Sequence, residues 1–501
     1  MRKEKVVVNQ NILESVSYRG MPRGVLDICM ILGSISFFFL SSTAHYVLLM
    51  IRPRPILPTY NVLTYPRSLD HEWNYLKYWD WRYNLKIKAL NGFKDILPDE
   101  VTLWNTIEAV ARDVLGRFNF AEVRLPVLEK TELFARSIGE STDIVEKEMY
   151  TFVDKQITMR PEATASLVRA YIQHGLYVEK PVQRLFTIGP MFRHERPQKG
   201  RLRQFHQMSA EILGADNGRV DGELIALAAL LFEELGVRVS LELNSLGCPE
   251  CRPEFRRNLL EFLQLKKNSL CRDCRRRMET NPLRVLDCKQ EQCRLLVEDA
   301  PSIQEHLCRP CTQHFAVVRT ALENLGIEYS LNKFMVRGLD YYCRTTFEFL
   351  TTDLGAQAAV CAGGRYDGLV EQLGGPKTPG IGFAMGLERM ALLLQQQETV
   401  SSGAELDLFV AGLGEEAGDF SYELVNKLRR KGLRVLMDLE GKSLKSQMKQ
   451  ANKANSSFVL IVGEEEMKNC AGVLRNMYTQ EQQSVALDAE EVAAVLSTLL
   501  E

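Results

Sequence analysis

The chain has 501 residues, 46% of them hydrophobic and 25% charged, with 62 basic against 64 acidic side chains and a net charge of −2. Such a length suggests about three domains, and the composition excludes wholesale disorder and a fibrous fold. Near-neutrality excludes a uniformly basic coat and leaves room for local basic surfaces. The total hides a split. Residues 1–88 carry 12 basic and 6 acidic side chains, and the remainder 50 and 58. Three of the four tryptophans (Trp73, Trp79, Trp81) also fall in that first piece.

Within it, Ile28 to Ile51 runs 24 residues without Lys, Arg, Asp or Glu, long enough to span a bilayer as a helix. A secretory signal fits poorly. The run starts late and ends in Arg52-Pro53-Arg54-Pro55 rather than at a small-residue cleavage site. Basic residues on both sides give no orientation. Three readings compete: a membrane anchor, an organellar presequence, and a segment foreign to the functional protein, such as a start assigned too far upstream.

From Ala89 the pattern becomes regular. Pro98-Asp99-Glu100 followed by Leu103, Ile107, Val110 and Val114 predicts a helix with acidic residues at its start. Ala121 to Pro126 reads as a strand into a turn, and Pro181–Phe192 and Phe205–Leu213 as two strands flanking a charged loop. Gly236–Leu246 predicts another strand, leading into a Cys-rich region. Ala316–Leu325 reads as helix, Lys333–Val336 and Arg344–Leu350 as strands, and Ala362–Gly368 as a Gly-rich turn. Gly380–Leu394 opens with glycines and becomes an apolar helix. The polar residues 395–405 suit a linker. Beyond them, strands at 406–411, 433–437 and 458–462 alternate with helices at 415–431 and 443–455, which argues a small α/β domain with a largely parallel sheet.

Eight of the 12 cysteines fall between Cys248 and Cys311. In a long, enzyme-like chain such pairs read as metal-binding or as reduced and cytosolic, not as a disulfide scaffold. Cys248-x-x-Cys251 and Cys271-x-x-Cys274, 19 residues apart, match a four-thiolate zinc spacing. The plainer reading is reduced cysteines packed in a small subdomain. Cys288/Cys293 and Cys308/Cys311 leave open a different pairing or a second site. Residues 248–294 hold 12 Lys/Arg against 7 Asp/Glu.

Between the two central strands, Phe192-Arg193-His-Glu195-Arg-Pro-Gln-Lys-Gly-Arg201-Leu-Arg-Gln-Phe205-His-Gln207 crowds five cationic side chains into one turn. Converging guanidinium forks suit a polyphosphate, and Phe205 offers a face for a base. A solvated basic hairpin is the alternative. Arg160-Pro-Glu162-Ala163-Thr164 sets a carboxylate and a hydroxyl where they suit a ligand ammonium. Arg337-Gly-Leu-Asp-Tyr341-Tyr342 packs four polar groups beside a strand, and Arg389 opens an apolar helix, where it needs an anionic partner or a solvent path.

Together these segments resemble the class II aminoacyl-tRNA synthetases, and specifically bacterial-type histidyl-tRNA synthetases. Phe192–Gln207 is similar to class II motif 2 and Gly380–Arg389 to motif 3. Arg337–Tyr342 and Ala362–Gly368 are similar to stretches peculiar to the histidine enzymes. The likeness covers about Ala89 to Leu499. It implies an α/β protein in the broad sense, with an α+β catalytic domain over 89–394: an antiparallel sheet flanked by helices, with a Cys-rich insertion at about 248–312. It further implies a linker at 395–405, a C-terminal βαβα anticodon-binding domain at 406–501 and a homodimer. Residues 1–88 have no counterpart in the family pattern.

The resemblance implies a cytoplasmic ligase that joins L-histidine to tRNA(His) at the cost of ATP, with Mg2+. It places Arg193 and Arg337 at the ATP α-phosphate and Arg389 at the γ-phosphate, with Phe205 stacking on adenine and Glu195 and Arg201 also in the ATP site. Glu162, Ala163, Thr164 and Gln207 surround the histidine ammonium, and Glu211, Tyr341 and Tyr342 the imidazole. Ala163 stands where the family commonly has Gly, a strained choice if that position needs φ > 0. Lys442, Lys445, Lys449 and Lys453 share one helix face, suited to tRNA phosphates or simply to solvent. Two rival readings stand beside the ligase. A synthetase-like regulatory subunit lacks the C-terminal domain and the activation residues. A membrane-associated binding protein on a synthetase scaffold, driven by Ile28–Ile51, would lose the ATP residues. This chain retains both.

Overall fold

The computed structural model describes residues 49–52, 59–62, 87–138, 142, 144–355, 359–397 and 406–500. The chain divides into two units, Met1–Lys88 and Ala89–Glu501. In the first, β1 (Leu49–Arg52) pairs antiparallel with β2 (Thr59–Val62). The last three residues of the apolar run thus lie in a strand. The rest of that run and the three tryptophans lie outside the described residues. Among the described residues no helix is long and apolar enough to cross a membrane.

The second unit opens with α1 (Pro98–Arg117), whose buried Leu103, Trp104, Ile107, Ala111, Val114 and Leu115 form the expected stripe. Proline at its first position and Asp99 and Glu100 in its first turn suit a helix start. Then follow β3 (Ala121–Glu122), β4 (Leu128–Lys130), α2 (Thr131–Ile138), β5 (Tyr150–Phe152), β6 (Ile157–Met159), α3 (Thr164–Gln173) and α4 (Leu176–Glu179). The long hairpin β7 (Gln183–Phe192) and β8 (Gln204–Leu213) carries the charged loop at its tip. After α5 (Gly218–Glu234) and β9 (Ser240–Ser245) comes an all-helical insertion: α6 (Arg252–Leu265), α7 (Arg272–Thr280) and α8 (Glu291–Val297). The chain returns through α9 (Arg309–Asn324) and β10 (Ser330–Leu331) to β11 (Cys343–Leu350), β12 (Ala359–Arg365), α10 (Leu369–Gln372), β13 (Gly380–Gly386) and α11 (Leu387–Gln396).

Eight strands form one sheet in the order β10-β9-β11-β12-β13-β8-β7-β3. The six inner strands are antiparallel, and only the edge pairs β10/β9 and β3/β7 are parallel. Strand period two gives the sheet two unlike faces. Met208, Ala210, Ile212, Phe347, Phe349, Ile381, Phe383 and Met385 point to one face and form the main core with α1, α5, α9 and α11. Intervening residues, among them Gln207, Glu211 and Glu348, point to the other. The insertion has its own core of Phe255, Leu259, Leu263, Leu270, Met278, Val285 and Val297.

The C-terminal part is a five-stranded sheet, β15-β14-β16-β17-β18. Its strands are β14 (Leu406–Gly412), β15 (Val435–Met437), β16 (Ser456–Val462), β17 (Ala471–Asn476) and β18 (Gln482–Ala486), interleaved with α12 (Glu415–Arg430), α13 (Leu444–Lys453), α14 (Glu464–Asn469) and α15 (Ala489–Leu500). The β14, β15 and β16 pairings are parallel as expected, but β17 and β18 add an antiparallel half that the sequence pattern does not signal.

Several expectations need correction. Gln395 and Gln396, assigned to the linker, complete α11, and residues 398–405 lie outside the described residues. Lys333–Val336 is a turn, not a strand, because the Asn332 side chain accepts the Phe334 N–H at 3.0 Å. Ala362–Arg365 is strand, not turn, and Gly380–Gly386 is a strand before the helix begins. Lys442 precedes α13, where its backbone N–H caps onto Asp438 at 2.7 Å, so only Lys445, Lys449 and Lys453 share the helix.

Candidate active site

The face opposite the core is carpeted by small residues. Gly364 of β12 and Gly382 of β13 are paired neighbours, and both face away from the helices. A Cβ on Gly382 would stand 1.5 Å from a Glu211 carboxylate oxygen, and one on Gly380 would stand 2.4 Å from the Tyr366 ring. The missing side chains let an acid and a phenol lie flat across the strand. Glu211 is buried. It accepts the Thr164 hydroxyl at 2.7 Å and the Tyr366 hydroxyl at 2.6 Å. Burial drives its carboxyl up to about 8, opposed by these two donors and reinforced by nearby Glu162.

Glu162 occupies the turn before α3 and accepts the backbone N–H groups of Thr164 (2.7 Å) and Ala165 (2.9 Å). Burial pushes this carboxyl up, while the two backbone donors and Arg193 pull it down. Ala163 caps α3 at φ −97°, so the suspected strain at this position does not arise. Arg160 fixes the turn, donating to the carbonyls of Pro190 (2.9 Å) and Leu125 (3.0 Å).

Tyr341 and Tyr342 close the pocket, their rings 4.6 Å apart, and Tyr341 meets Tyr366 edge-on at 5.7 Å. Arg337 lies over the Tyr342 ring at 5.2 Å and pairs with Glu348 of β11. Among the buried polar atoms here without a hydrogen-bond partner are the Gln207 side-chain oxygen and the Arg337 Nε. Unsatisfied buried groups are costly, and at a cleft they mark where a ligand completes the set.

The hairpin loop gathers the cations. Arg193 donates to the Pro161 carbonyl at 2.8 Å and lies 5.3 Å above the Phe205 ring. Glu195 pairs with Arg201 and stands 4.0 Å from Arg193. Arg389, in the first turn of α11, donates to the carbonyls of Gly200 (3.4 Å) and Ala359. Burial, and then Arg201 and Arg193, lower the pKa of Arg389. Burial and then Arg193 do the same to Arg201. Arg193 thus depresses both neighbours and Arg201 depresses Arg389, a concentration of positive charge that suits a polyanion. Glu388 locks the arrangement, accepting the His206 backbone N–H at 2.9 Å and its ring Nδ1 at 3.1 Å. The cation lying over Phe205 is Arg193, whereas Arg389 packs on the loop tip at Gly200.

The structure therefore gathers Glu162, Thr164, Glu211, Tyr341 and Tyr342 into one pocket, and Arg193, Glu195, Arg201, Phe205 and Arg389 around the adjacent loop. Three supporting residues are not apparent from the sequence. Tyr366 lies in a motif that reads as a turn, Glu348 sits in an unremarkable strand, and Arg160 shows its role only through the carbonyls it reaches.

The cysteines regroup. Cys248, Cys251, Cys308 and Cys311 form one cluster and Cys271, Cys274, Cys288 and Cys293 another, each with its sulfurs within 4.8 Å of one another. Either could hold a metal ion. The set Cys248/Cys251/Cys271/Cys274 expected from spacing is not assembled, because the chain folds back and brings Cys308 beside Cys248.

Comparison with known proteins gives a consistent result. The family model described as histidyl-tRNA synthetase matches residues 92–390, and one described as anticodon binding domain matches 407–499. A histidine–tRNA ligase of Desulfotalea psychrophila is 64% identical over 414 residues, covering 82% of this chain and 96% of the relative. One from Geobacter sulfurreducens is 55% identical over 412 residues, covering 81% and 99%. The crystal structure of apo Staphylococcus aureus histidyl-tRNA synthetase superposes with a TM-score of 0.69 at 33% identity, covering 83% of this chain and all of that one (100%). A Nostoc sp. histidyl-tRNA synthetase structure, at 19% identity and TM-score 0.61, attests the fold alone.

Proposed function

The chain belongs to the histidyl-tRNA synthetase family, and on that premise we propose how its site performs the reaction. The activity is that of a histidine–tRNA ligase. L-Histidine and ATP give histidyl-adenylate and pyrophosphate, and the histidyl group then passes to the 3′ end of tRNA(His).

In the first step a histidine carboxylate oxygen bonds to the ATP α-phosphorus, and the bond from that phosphorus to the bridging oxygen of pyrophosphate breaks. The nucleophile is already ionised, so the protein's work is positioning and charge stabilisation. Arg193 and Arg337 hold the α-phosphate from two sides, and Arg389 holds the γ-phosphate. Phe205 takes the adenine face once Arg193 swings from its ring to phosphate. Glu195, paired to Arg201, keeps the loop cations apart until MgATP arrives.

The observation that carries the histidine reading is the buried Glu211, held by Thr164 and Tyr366. An imidazole N–H donates to Glu211 and its other nitrogen faces a tyrosine hydroxyl. Glu162, Thr164 and the unsatisfied Gln207 oxygen receive the α-ammonium.

The same reading assigns 89–394 to catalysis, with its insertion at about 248–312, and 406–501 to the anticodon. It takes tRNA(His) phosphates onto the basic insertion and α13, and zinc as the metal suited to thiolate clusters. A homodimer and a cytoplasmic location complete it. Exposed Leu128 and Phe152 on the small β4-β6-β5 sheet, with Val153 in the turn after β5, suit a subunit contact. Histidine-dependent ATP–pyrophosphate exchange by the full chain tests the activity. Folded protein without exchange would overturn it.

A further inference from the structure

We infer that the insertion holds two zinc ions, Cys248, Cys251, Cys308 and Cys311 sharing one and Cys271, Cys274, Cys288 and Cys293 the other, and that the first ion positions the tyrosine loop of the histidine pocket. The second half of this inference rests on the pocket assignment above; the first does not.

Sulfur spacing is the primary observation. Cys248 lies 3.7 Å from Cys251 and 3.8 Å from Cys308, and Cys271 lies 3.9 Å from Cys288, sulfur to sulfur. A disulfide needs about 2.05 Å. A regular tetrahedron with metal–sulfur bonds of about 2.3 Å has edges of about 3.8 Å. These three separations already match such edges, and within each cluster all four sulfurs lie within 4.8 Å of one another.

The surroundings suit thiolates. Cys251, Cys271 and Cys308 are the N-caps of α6, α7 and α9, where helix dipoles favour negative charge. Backbone N–H groups donate to sulfur from Cys308 to Cys251 (3.2 Å), Cys271 to Cys293 (3.3 Å) and Cys274 to Cys271 (3.4 Å). Such second-sphere bonds hold ligand sulfurs in place. A zinc ion on four thiolates carries a double negative charge, and the excess of 12 basic over 7 acidic side chains in 248–294 offsets it. An all-sulfur donor set excludes Mg2+ and Ca2+, which take oxygen ligands.

The two clusters differ in place. Cys271, Cys274, Cys288 and Cys293 lie within the insertion core with Leu270, Met278 and Val285. The other four stand where the insertion leaves β9 and re-enters at α9. From there contacts run directly to the pocket. Arg252, next to Cys251, donates to the Tyr342 carbonyl. Arg344 N–H donates to the Gly247 carbonyl at 2.8 Å, and Leu246 N–H returns to the Arg344 carbonyl at 2.7 Å. The distal side reaches the same loop less directly, through Asn281 to Asp340 at 3.0 Å and Arg284 to the Arg337 carbonyl at 2.9 Å, whereas the neck bonds to Tyr342 itself.

Native mass spectrometry of the full chain, purified without chelator, tests the count. Two zinc ions per chain are expected, with one remaining in Cys308→Ser, one in Cys293→Ser and none in the double variant. Zero or one ion in the wild type, iron in place of zinc, or two ions retained in both single variants would overturn the assignment. Should the variants fail to fold, cobalt(II) titration of the metal-depleted wild type decides. Tetrahedral thiolate absorption saturating at two equivalents supports it, and saturation at one refutes it. For the positioning role, Cys308→Ser raises KM for histidine by roughly tenfold with KM for ATP unchanged, a clearly larger rise than Cys293→Ser gives. Equal effects from the two variants would remove the positioning role and leave the metal count standing. Loss of histidine-dependent exchange in the wild type would instead fault the activity itself.

Discussion

Glu211 sits at the centre of the histidine pocket, with its carboxyl pushed up to about 8 by burial. The folded chain holds that proton over a range in which the unfolded chain, with an ordinary value of 4.5, has released it. The stability it contributes is complete below the unfolded value and is lost as pH rises toward about 8. Glu211→Gln is neutral throughout and lacks this component. Urea midpoints measured between about pH 5 and 8 should fall for the wild type relative to the variant; parallel profiles would refute the shifted carboxyl. At the phosphate end, Arg193→Lys keeps the charge and loses the fork. The expected loss in exchange kcat is on the order of 100-fold to 1,000-fold, as for removal of one transition-state donor. A change under threefold would show that charge alone suffices there.

Among the elements, β13 makes the pocket by what it omits. Gly382→Ala drives a methyl into Glu211, since the Cβ would stand 1.5 Å from the carboxylate oxygen. Displacement on that scale predicts a loss of about 100-fold in kcat/KM for histidine. Unchanged histidine kinetics would mean that the strand yields instead. The same strand shows where sequence legibility ends. The hairpin β7–β8 and helices α1, α9 and α12 are readable, because their apolar periods match burial on one face. Gly363 and Gly364 read as part of a turn, and Gly382 as the opening of a helix. In the sheet they are glycines because a carbonyl, the Phe347 ring, Tyr342 and Glu211 crowd their Cβ positions. That crowding comes from strands distant in sequence. Tyr366 is hidden for the same reason. The arginines are legible because a cationic run in an apolar context needs an anion. The cysteine grouping is not, since spacing links neighbours along the chain and the neck joins residues 60 apart.

At the scale of the whole molecule, a chain of net charge −2 must hold a polyanion on local patches. Lys445, Lys449 and Lys453 line one face of α13, in a domain whose core is separate from the catalytic core. Reversing Lys445 and Lys449 to Glu should raise KM for tRNA and flatten its salt dependence by roughly one log–log unit for each phosphate no longer neutralised. Pyrophosphate exchange, which needs no tRNA, should stay at the wild-type rate. A parallel loss in both assays would place the lysines in folding instead of binding. The family match begins at residue 92, so a chain starting at Ala89 should match the full chain in exchange. A large deficit would give the leader a part in catalysis.

The neck cluster has one more consequence. Cys248 and Cys308 stand 3.8 Å apart across an excursion of 60 residues. An element that departs and returns at a single point makes no demand on the spacing of the sheet that hosts it. It is a detachable module in the evolutionary sense. A short turn in its place should leave the eight-stranded sheet intact.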